Sequence, residues 1–474
     1  MATLRTISIT VVLLPFLFGM ALITTARYFD SHSLHPGPKP ASVILDNVNL
    51  VPVSTEGVVA SRKLTIIDGQ IDSIDSAGPP YAMDMEVLDL EDRYLLPGLI
   101  DMHVHVDDRE QLRLALSYGV TAVRNMHGMP MHLRWMKEQK QNEWMGSRLY
   151  STSPIMHGKD YSSFFDVVVE GEEHARRLSR QLREEGWDFI KVYSGLGMEE
   201  FLVLLGGIDS LSLPVVGHVP YAVAAENYSL AGQMRTIEHV EEIFQGPLEH
   251  SFSIDQVDVP IAVLSRANAV VCPTLSTFEN LTRLSIEKTA MLSELSTDHM
   301  TAFGEYYSRK IDIERWLKST PERGEYNAHE LDFLKYITKK LEEHGVALVL
   351  GTDSGTNFVM PGPSMWQEMR LMAEAGLEAE TIIRAATLNA ALALGIAETY
   401  GTIEVGKTAD LVLVDSNPLE DPSAIRRPSG VFYQGNHLDA DDLMSLRDGT
   451  GNVAGWWLST ARYFESAFDN LTRY

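Results

Sequence analysis

Leu95-Leu96-Pro97-Gly98-Leu99-Ile100-Asp101-Met102-His103-Val104-His105 leads from a Pro-Gly turn into an apolar run that ends on two histidines. Residues 99–106 read as a strand. Alternate side chains on a strand share a face, so His103 and His105 can meet one metal ion from the same side. Taken alone, a His-x-His pair is more often two packed histidines than a ligand pair. Its meaning comes from what surrounds it. Eight strand candidates run through the chain at 99–106, 120–126, 148–154, 188–194, 214–220, 235–240, 269–277 and 347–354. Segments rich in Glu, Arg, Leu and Ala lie between most of them, as at 172–185. This alternation predicts an α/β fold, a (β/α)8 TIM-type barrel over residues 98–400. The connection 278–345 is too long for an ordinary crossover; it is charged, helix-like, and carries Tyr306, Tyr307 and Trp316. Loops after barrel strands open on the catalytic face, so this insertion is either a lid or a surface elaboration.

On both sides of the barrel the pattern changes to short β-branched runs. Residues 42–45, 50–53 and 63–68 are strand candidates, and Asp68-Gly69 is a strong hairpin signal with 71–74 as the return strand. Runs at 401–414 and 430–438 have the same character. The expectation is one small β-sheet domain built from 41–97 and 401–440, followed by a C-terminal extension, 441–474. Residues 27–40 contain Pro36, Pro38 and Pro40 and read as a linker. Ahead of it no charge interrupts the chain between Arg5 and Arg27. Residues 1–26 therefore read as a signal peptide, with Thr24 and Ala26 as small residues for cleavage, or as an N-terminal membrane anchor. The expected location is outside the cytoplasm: periplasmic, extracellular, or anchored and facing outward.

Length and composition fit this reading. The chain has 474 residues, of which 45% are hydrophobic, enough for a barrel and an appended module. Acidic residues outnumber basic ones 65 to 39, a net charge of −26, which disfavours nucleic acid and anionic lipid as partners. With Cys272 as the single cysteine, no intramolecular disulfide and no Cys-rich zinc site can form. Any metal must be held by His, carboxylate or a modified side chain.

The stretch 95–105 resembles the entry to the first barrel strand of the amidohydrolase superfamily, and the likeness runs from about Ile44 to Asp439. Within it the chain is similar to the imidazolonepropionase-like and Xaa-Pro dipeptidase-like branch. The matching stretches are Val120-Thr121-Ala122-Val123-Arg124-Asn125-Met126, Cys272-Pro273-Thr274-Leu275, Ala385-Ala386-Thr387-Leu388-Asn389-Ala390-Ala391 and Gly406-Lys407-Thr408-Ala409-Asp410-Leu411-Val412.

The resemblance implies a set of metal ligands at strand ends. Beside His103 and His105 these are Lys191 after strand four, His218 after strand five, His239 after strand six and Asp353 after strand eight. A lysine in an apolar strand is costly to bury as a cation. In the family the solution is an N6-carboxylysine, a carbamate bridging two divalent metals. Each histidine singly could be a satisfied core residue; six candidates on the face where barrels keep their active sites are a joint signal. Nitrogen and oxygen donors suit Zn2+ best, with manganese, cobalt or iron as alternatives. The implied activity is that of a metal-dependent amidohydrolase. An activated water attacks an amide, and Asp353 takes the proton and passes it to the leaving group.

Some features depart from the family pattern. Arg124 is followed by Asn125 where this branch often has aspartate. His218-Val219-Pro220-Tyr221 lacks the glutamate of the deaminase pattern, and Lys191 is present, which argues against a mononuclear deaminase. Tyr221 comes three residues after His218, whereas the dipeptidases hold the substrate carboxylate with a tyrosine two residues on. Arg124, His157, Tyr193 and Tyr221 are the candidate substrate contacts. The expected substrate is a small molecule, a dipeptide or N-acyl amino acid. A cyclic amide or lactone is the alternative, and a non-catalytic metal-stabilised binding protein the remote one.

Overall fold

A computed structural model describes residues 18–28, 37–81, 85–160, 163, 165–206, 213–449 and 453–474. The chain opens with β1 (Val43–Leu50), β2 (Val59–Ile67), β3 (Gln70–Ser76), β4 (Val87–Asp89) and β5 (Tyr94–Pro97). The hairpin between β2 and β3 turns on Asp68 (φ 48°) and Gly69 (φ 76°), the two left-handed positions that an Asp-Gly pair supplies. The expected strand at 50–53 is absent as a separate element. Leu50 ends β1, Val51 donates to Leu95 O at 2.8 Å, and Val53 has left-handed backbone (φ 66°) that breaks a ladder.

The barrel strands are β6 (Leu99–Val104), β7 (Val120–Asn125), β8 (Arg148–His157), β9 (Val167–Val168), β10 (Phe189–Val192), β11 (Val215–Gly217), β12 (Thr236–Glu238), β13 (Val270–Cys272) and β14 (Ala347–Leu348). They form one parallel sheet in the order β14-β13-β12-β11-β10-β8-β7-β6, with β9 paired to β8. A bridge from Val104 to Ser354 and the Asp353 N–H donated to His103 O (2.8 Å) bring the two ends together. Finally β15 (Leu411–Val414), β16 (Gly430–Tyr433) and β17 (Asn436–Leu438) join the first sheet, in the order β17-β16-β15-β5-β1-β2-β3, with β4 beside β1. The mixed fold is thus a TIM-type barrel with a second, largely antiparallel sheet drawn from both sides of the barrel sequence.

Burial follows from these layers. Every residue of β6, β7, β10, β11 and β12 is buried, because both faces of a barrel strand are covered. Met102, Ala122, Phe189, Val216, Cys272 and Val349 form one apolar cluster. It lies on the N-terminal side of the site histidines and closes the barrel beneath them.

The strand ends and the chain's N-terminal segment bear on the remaining expectations. The strand expected over 269–277 stops at Cys272, and a helix, Leu275–Glu287, starts immediately after Thr274. Its first amides are bound from far away in the sequence: the Glu368 carboxylate accepts from Leu275 N (2.9 Å) and Ser276 N (2.7 Å). The insertion 278–345 is helical as expected and ends in the long helix Pro321–Glu343. The anchor or signal expected at 1–26 falls mostly on residues 1–17, outside the described residues. The remainder is a helix over 18–28 whose Leu22 and Ala26 pack against Ala461. Among the described residues no helix is long and apolar enough to cross a membrane.

Candidate metal centre

The six residues singled out at strand ends line one cavity of about 430 Å³, the size range of small-molecule sites. His103 Nε2 and His105 Nε2 are 3.3 Å apart, and Asp353 Oδ1 stands 3.4 Å from the first and 3.1 Å from the second. The ring centres of His103 and His239 are 4.8 Å apart, and those of His239 and His218 4.6 Å. Asp353 holds its position with left-handed backbone (φ 58°), as does His239 (φ 69°); such geometry at two neighbouring polar residues concentrates where a site is built.

The other ring nitrogen of each of three histidines is already engaged. His103 Nδ1 lies 2.9 Å from Glu238 Oε2, His218 Nδ1 2.6 Å from Glu242 Oε1, and His239 Nδ1 2.6 Å from Thr274 Oγ1. A carboxylate or hydroxyl on Nδ1 fixes ring orientation and leaves Nε2 as the ligating atom. Burial, reinforced by Lys191, holds His103 and His218 well below the ordinary imidazole range; burial and His218 push His239 down to about 3. All three are therefore neutral, the form that binds metal. Burial by itself would raise the Asp353 carboxyl, but the surrounding imidazoles and the hydrogen bond from His105 hold it well below the usual carboxylate range.

Lys191 is 1% exposed. Burial pushes its amine down to about 8, so a substantial neutral fraction exists near physiological pH. Space for its stem depends on Gly217, where a Cβ would come within 2.2 Å of Val192 O and 3.0 Å of Lys191 Cδ. The donor set fits a metal ion: converging Nε2 atoms, an ionised carboxylate, and a buried amine facing the same space. Among the described residues, His103, His105 and Asp353 offer ligand atoms that all lie within 4.8 Å of one another, as do His103, Glu238 and Cys272.

Beneath this layer lie residues that sequence reasoning passed over. Asp101 accepts from His103 N (3.2 Å), Thr352 N (3.0 Å) and Thr352 Oγ1 (2.7 Å), tying β6 to the segment that carries Asp353. Glu238 and Glu242 orient His103 and His218, two of the candidate ligands. The available signal was their place: acids within three residues of His239, at the end of a barrel strand.

Two of the four candidate substrate contacts are corrected. Arg124 is fully buried; it donates to Met102 O (2.8 Å), Thr236 Oγ1 (2.8 Å) and Glu238 Oε1 (2.6 Å), and so clamps the carboxylate that orients His103. It does not reach the cavity. Tyr221 is 64% exposed and lies outside the cavity wall, because the chain turns after His218, with Tyr221 N donating to Ser194 O. His157 and Tyr193 do line the cavity, their rings 5.2 Å apart, and Tyr193 lies 4.0 Å from the His218 ring. Burial raises the Tyr193 phenol far above neutrality, so it is a donor.

The rest of the wall comes from four segments distant in sequence. His127 and Phe165 belong to loops after β7 and β8; Thr301, Tyr307 and Arg315 belong to the insertion; Tyr463 comes from the helix Trp456–Arg473. Arg462 locks that helix in place, donating to Asp107 O (2.9 Å) and Asp108 Oδ2 (2.7 Å). The insertion is therefore part of the cavity wall, and so is the C-terminal extension.

Comparison with known proteins places this geometry. A sequence model of the amidohydrolase family matches residues 334–438. Adenine deaminase of Thermosipho africanus (strain TCF52B) is 34% identical over 92 residues, 18% of this chain and 15% of the deaminase. The match thus spans a small part of that protein's length. Among solved structures, bottromycin amidohydrolase superposes with a TM-score of 0.71 at 26% identity, covering 91% of this chain and 94% of that one. A Xaa-Pro dipeptidase with bound methionine in the active site superposes with a TM-score of 0.66 at 21% identity, covering 84% and 100%.

Proposed function

We propose, for a chain that is a member of the amidohydrolase superfamily, that it hydrolyses the amide bond of a dipeptide or N-acyl amino acid with two divalent metals bound. The observation that carries this reading is the convergence of His103 Nε2, His105 Nε2 and Asp353 Oδ1 within 3.4 Å, beside the buried amine of Lys191. That amine, once carboxylated, would be the bridging ligand. Bound there, Zn2+ or a similar ion would lower the pKa of an attacking water and polarise the scissile carbonyl.

The chain's own residues do the rest. Asp353 accepts the proton of the attacking water and delivers it to the leaving nitrogen. Tyr193, protonated and facing the cavity, donates a hydrogen bond to the carbonyl oxygen as charge develops there. Glu238, Glu242 and Thr274 keep three imidazoles in the ligating orientation. We place the reaction outside the cytoplasm, on the uncharged run between Arg5 and Arg27.

The test is a substrate panel on the full chain with added Zn2+ or Mn2+: dipeptides, N-acyl amino acids, cyclic amides, lactones and adenine. Turnover of the first two classes, lost on chelation and restored by metal, supports the reading. Turnover restricted to lactones, cyclic amides or adenine overturns it.

A further inference from the structure

With Arg124 and Tyr221 turned away from the cavity, neither sequence candidate can hold a substrate carboxylate. The wall nevertheless contains one arginine. Among the described lining residues Arg315 is the single arginine and Lys191, at the metal-centre floor, the single lysine; the remaining charged side chains are the carboxylates of Asp107, Asp166, Asp312 and Asp353. Arg315 comes from the insertion between β13 and β14, in the short helix Glu314–Leu317 that directly follows a π-helical turn, Ser308–Asp312. Such turns are over-represented at functional sites.

Its guanidinium lies over the Trp316 ring, 4.4 Å from the centroid. Trp316 is itself buried and packs with Leu284, Met291, Ile313 and Phe358, so the platform is fixed. Stacking uses the face of the guanidinium and leaves its N–H edge free, the arrangement suited to a bidentate carboxylate. No hydrogen bond or ion pair within 4.0 Å engages that edge among the described residues. Asp312 and Glu241 lie near enough to feel the charge, yet neither closes a salt bridge with it.

We infer that Arg315, on the stretch of cavity wall supplied by the insertion, receives the free carboxylate of the substrate, and that the insertion thereby selects molecules ending in a carboxylate. This rests on the amide-hydrolase reading above and names the residue that holds the carboxylate such substrates carry. A charge-assisted pair of this kind is worth about ten- to a hundredfold in affinity or transition-state binding.

The experiment compares dipeptides with their C-terminal amides, and N-acetyl amino acids with their amides, on the metal-loaded full chain. Wild type should favour the free acids by about ten- to a hundredfold in kcat/KM. Arg315→Met should erase the preference by lowering kcat/KM for the free acids about ten- to a hundredfold, and Arg315→Lys should restore part of it. A preference that survives in Arg315→Met overturns the inference, as does equal turnover of acid and amide by wild type; both leave the hydrolase reading standing. If wild type turns over neither, the hydrolase reading fails. Calorimetric binding of N-acetyl amino acids against their amides then decides the inference alone: an acid preference lost in Arg315→Met upholds it, and no such loss overturns it.

Discussion

His103 Nδ1 stands 2.9 Å from Oε2 of Glu238, and the same carboxylate receives Arg124 Nη2 at 2.6 Å on its other oxygen. The three side chains are almost completely buried. A buried carboxylate costs several kcal/mol unless it is paired and hydrogen-bonded, and Glu238 is both. The charge held here orients the ligand above it.

Glu238→Gln keeps the shape but gives up that charge. We expect the variant to fold and to bind metal about ten- to a hundredfold more weakly, the usual effect of changing a ligand's outer partner. Competition with a chelator measures it. Unchanged metal affinity would mean that His103 needs no orienting anion.

Asp353→Asn should preserve the fold, since asparagine tolerates the left-handed backbone at this position (φ 58°). It cannot accept a proton at neutral pH. Turnover should fall by about 10²–10⁴, the range of general acid–base contributions. A fall in kcat below about tenfold would place proton transfer elsewhere.

Lys191→Ala should reduce activity by orders of magnitude and be partly rescued by short carboxylic acids that replace the carbamate. The variant should also hold less metal. Fully active wild-type protein carrying one ion per chain by metal analysis would refute the binuclear arrangement.

His127, pushed down to about 4 by burial first and by His105 second, carries a pH signature. Its folded pKa lies below the unfolded value near 6.5, so unfolding takes up a proton between the two. Its contribution to stability is complete above about pH 6.5 and is lost as pH falls towards 4. Relative to His127→Gln, metal-free wild type should lose about 2–3 kcal/mol across that interval, read by denaturant unfolding at each pH. A stability difference independent of pH would rule the assignment out.

The N-terminal helix offers a separable test. Leu22 and Ala26 bury themselves against Ala461, and Arg27 pairs with Glu465 at 2.7 Å. Glu465 also holds Arg134 (2.8 Å), and Arg462 holds Asp108, so the helix bearing Tyr463 keeps its anchors without residues 1–28. Truncation to residue 29 should leave kcat/KM within about twofold while lowering Tm by a few degrees, because burying one such aliphatic side chain contributes about 1.5–3 kcal/mol. A large loss of kcat/KM with metal retained would show that this helix shapes the cavity.

How much the sequence revealed differs by layer. The barrel was readable because each strand announces itself locally: apolar β-branched runs separated by helical stretches. The candidate ligands were legible only jointly and through the family resemblance, since each histidine singly reads as well as a packed core residue. The helix starting at Leu275 was not readable, since Glu368, far along the chain, caps it. The role of Arg124 was misread for the same reason. An arginine at a strand end looks the same in sequence whether it faces a substrate or a buried glutamate.

Local pattern determined the fold class and the succession of barrel strands and helices along the chain, because side-chain period and turn chemistry act over a few residues. Tertiary structure decided everything that depends on long-range approach. It set which nitrogen of each histidine is free, which carboxylates lie underneath, and that Tyr463 and Arg315 close the same wall. Those facts arise from charges and hydrogen bonds between segments distant in sequence, whose pairing is fixed only when the barrel shuts.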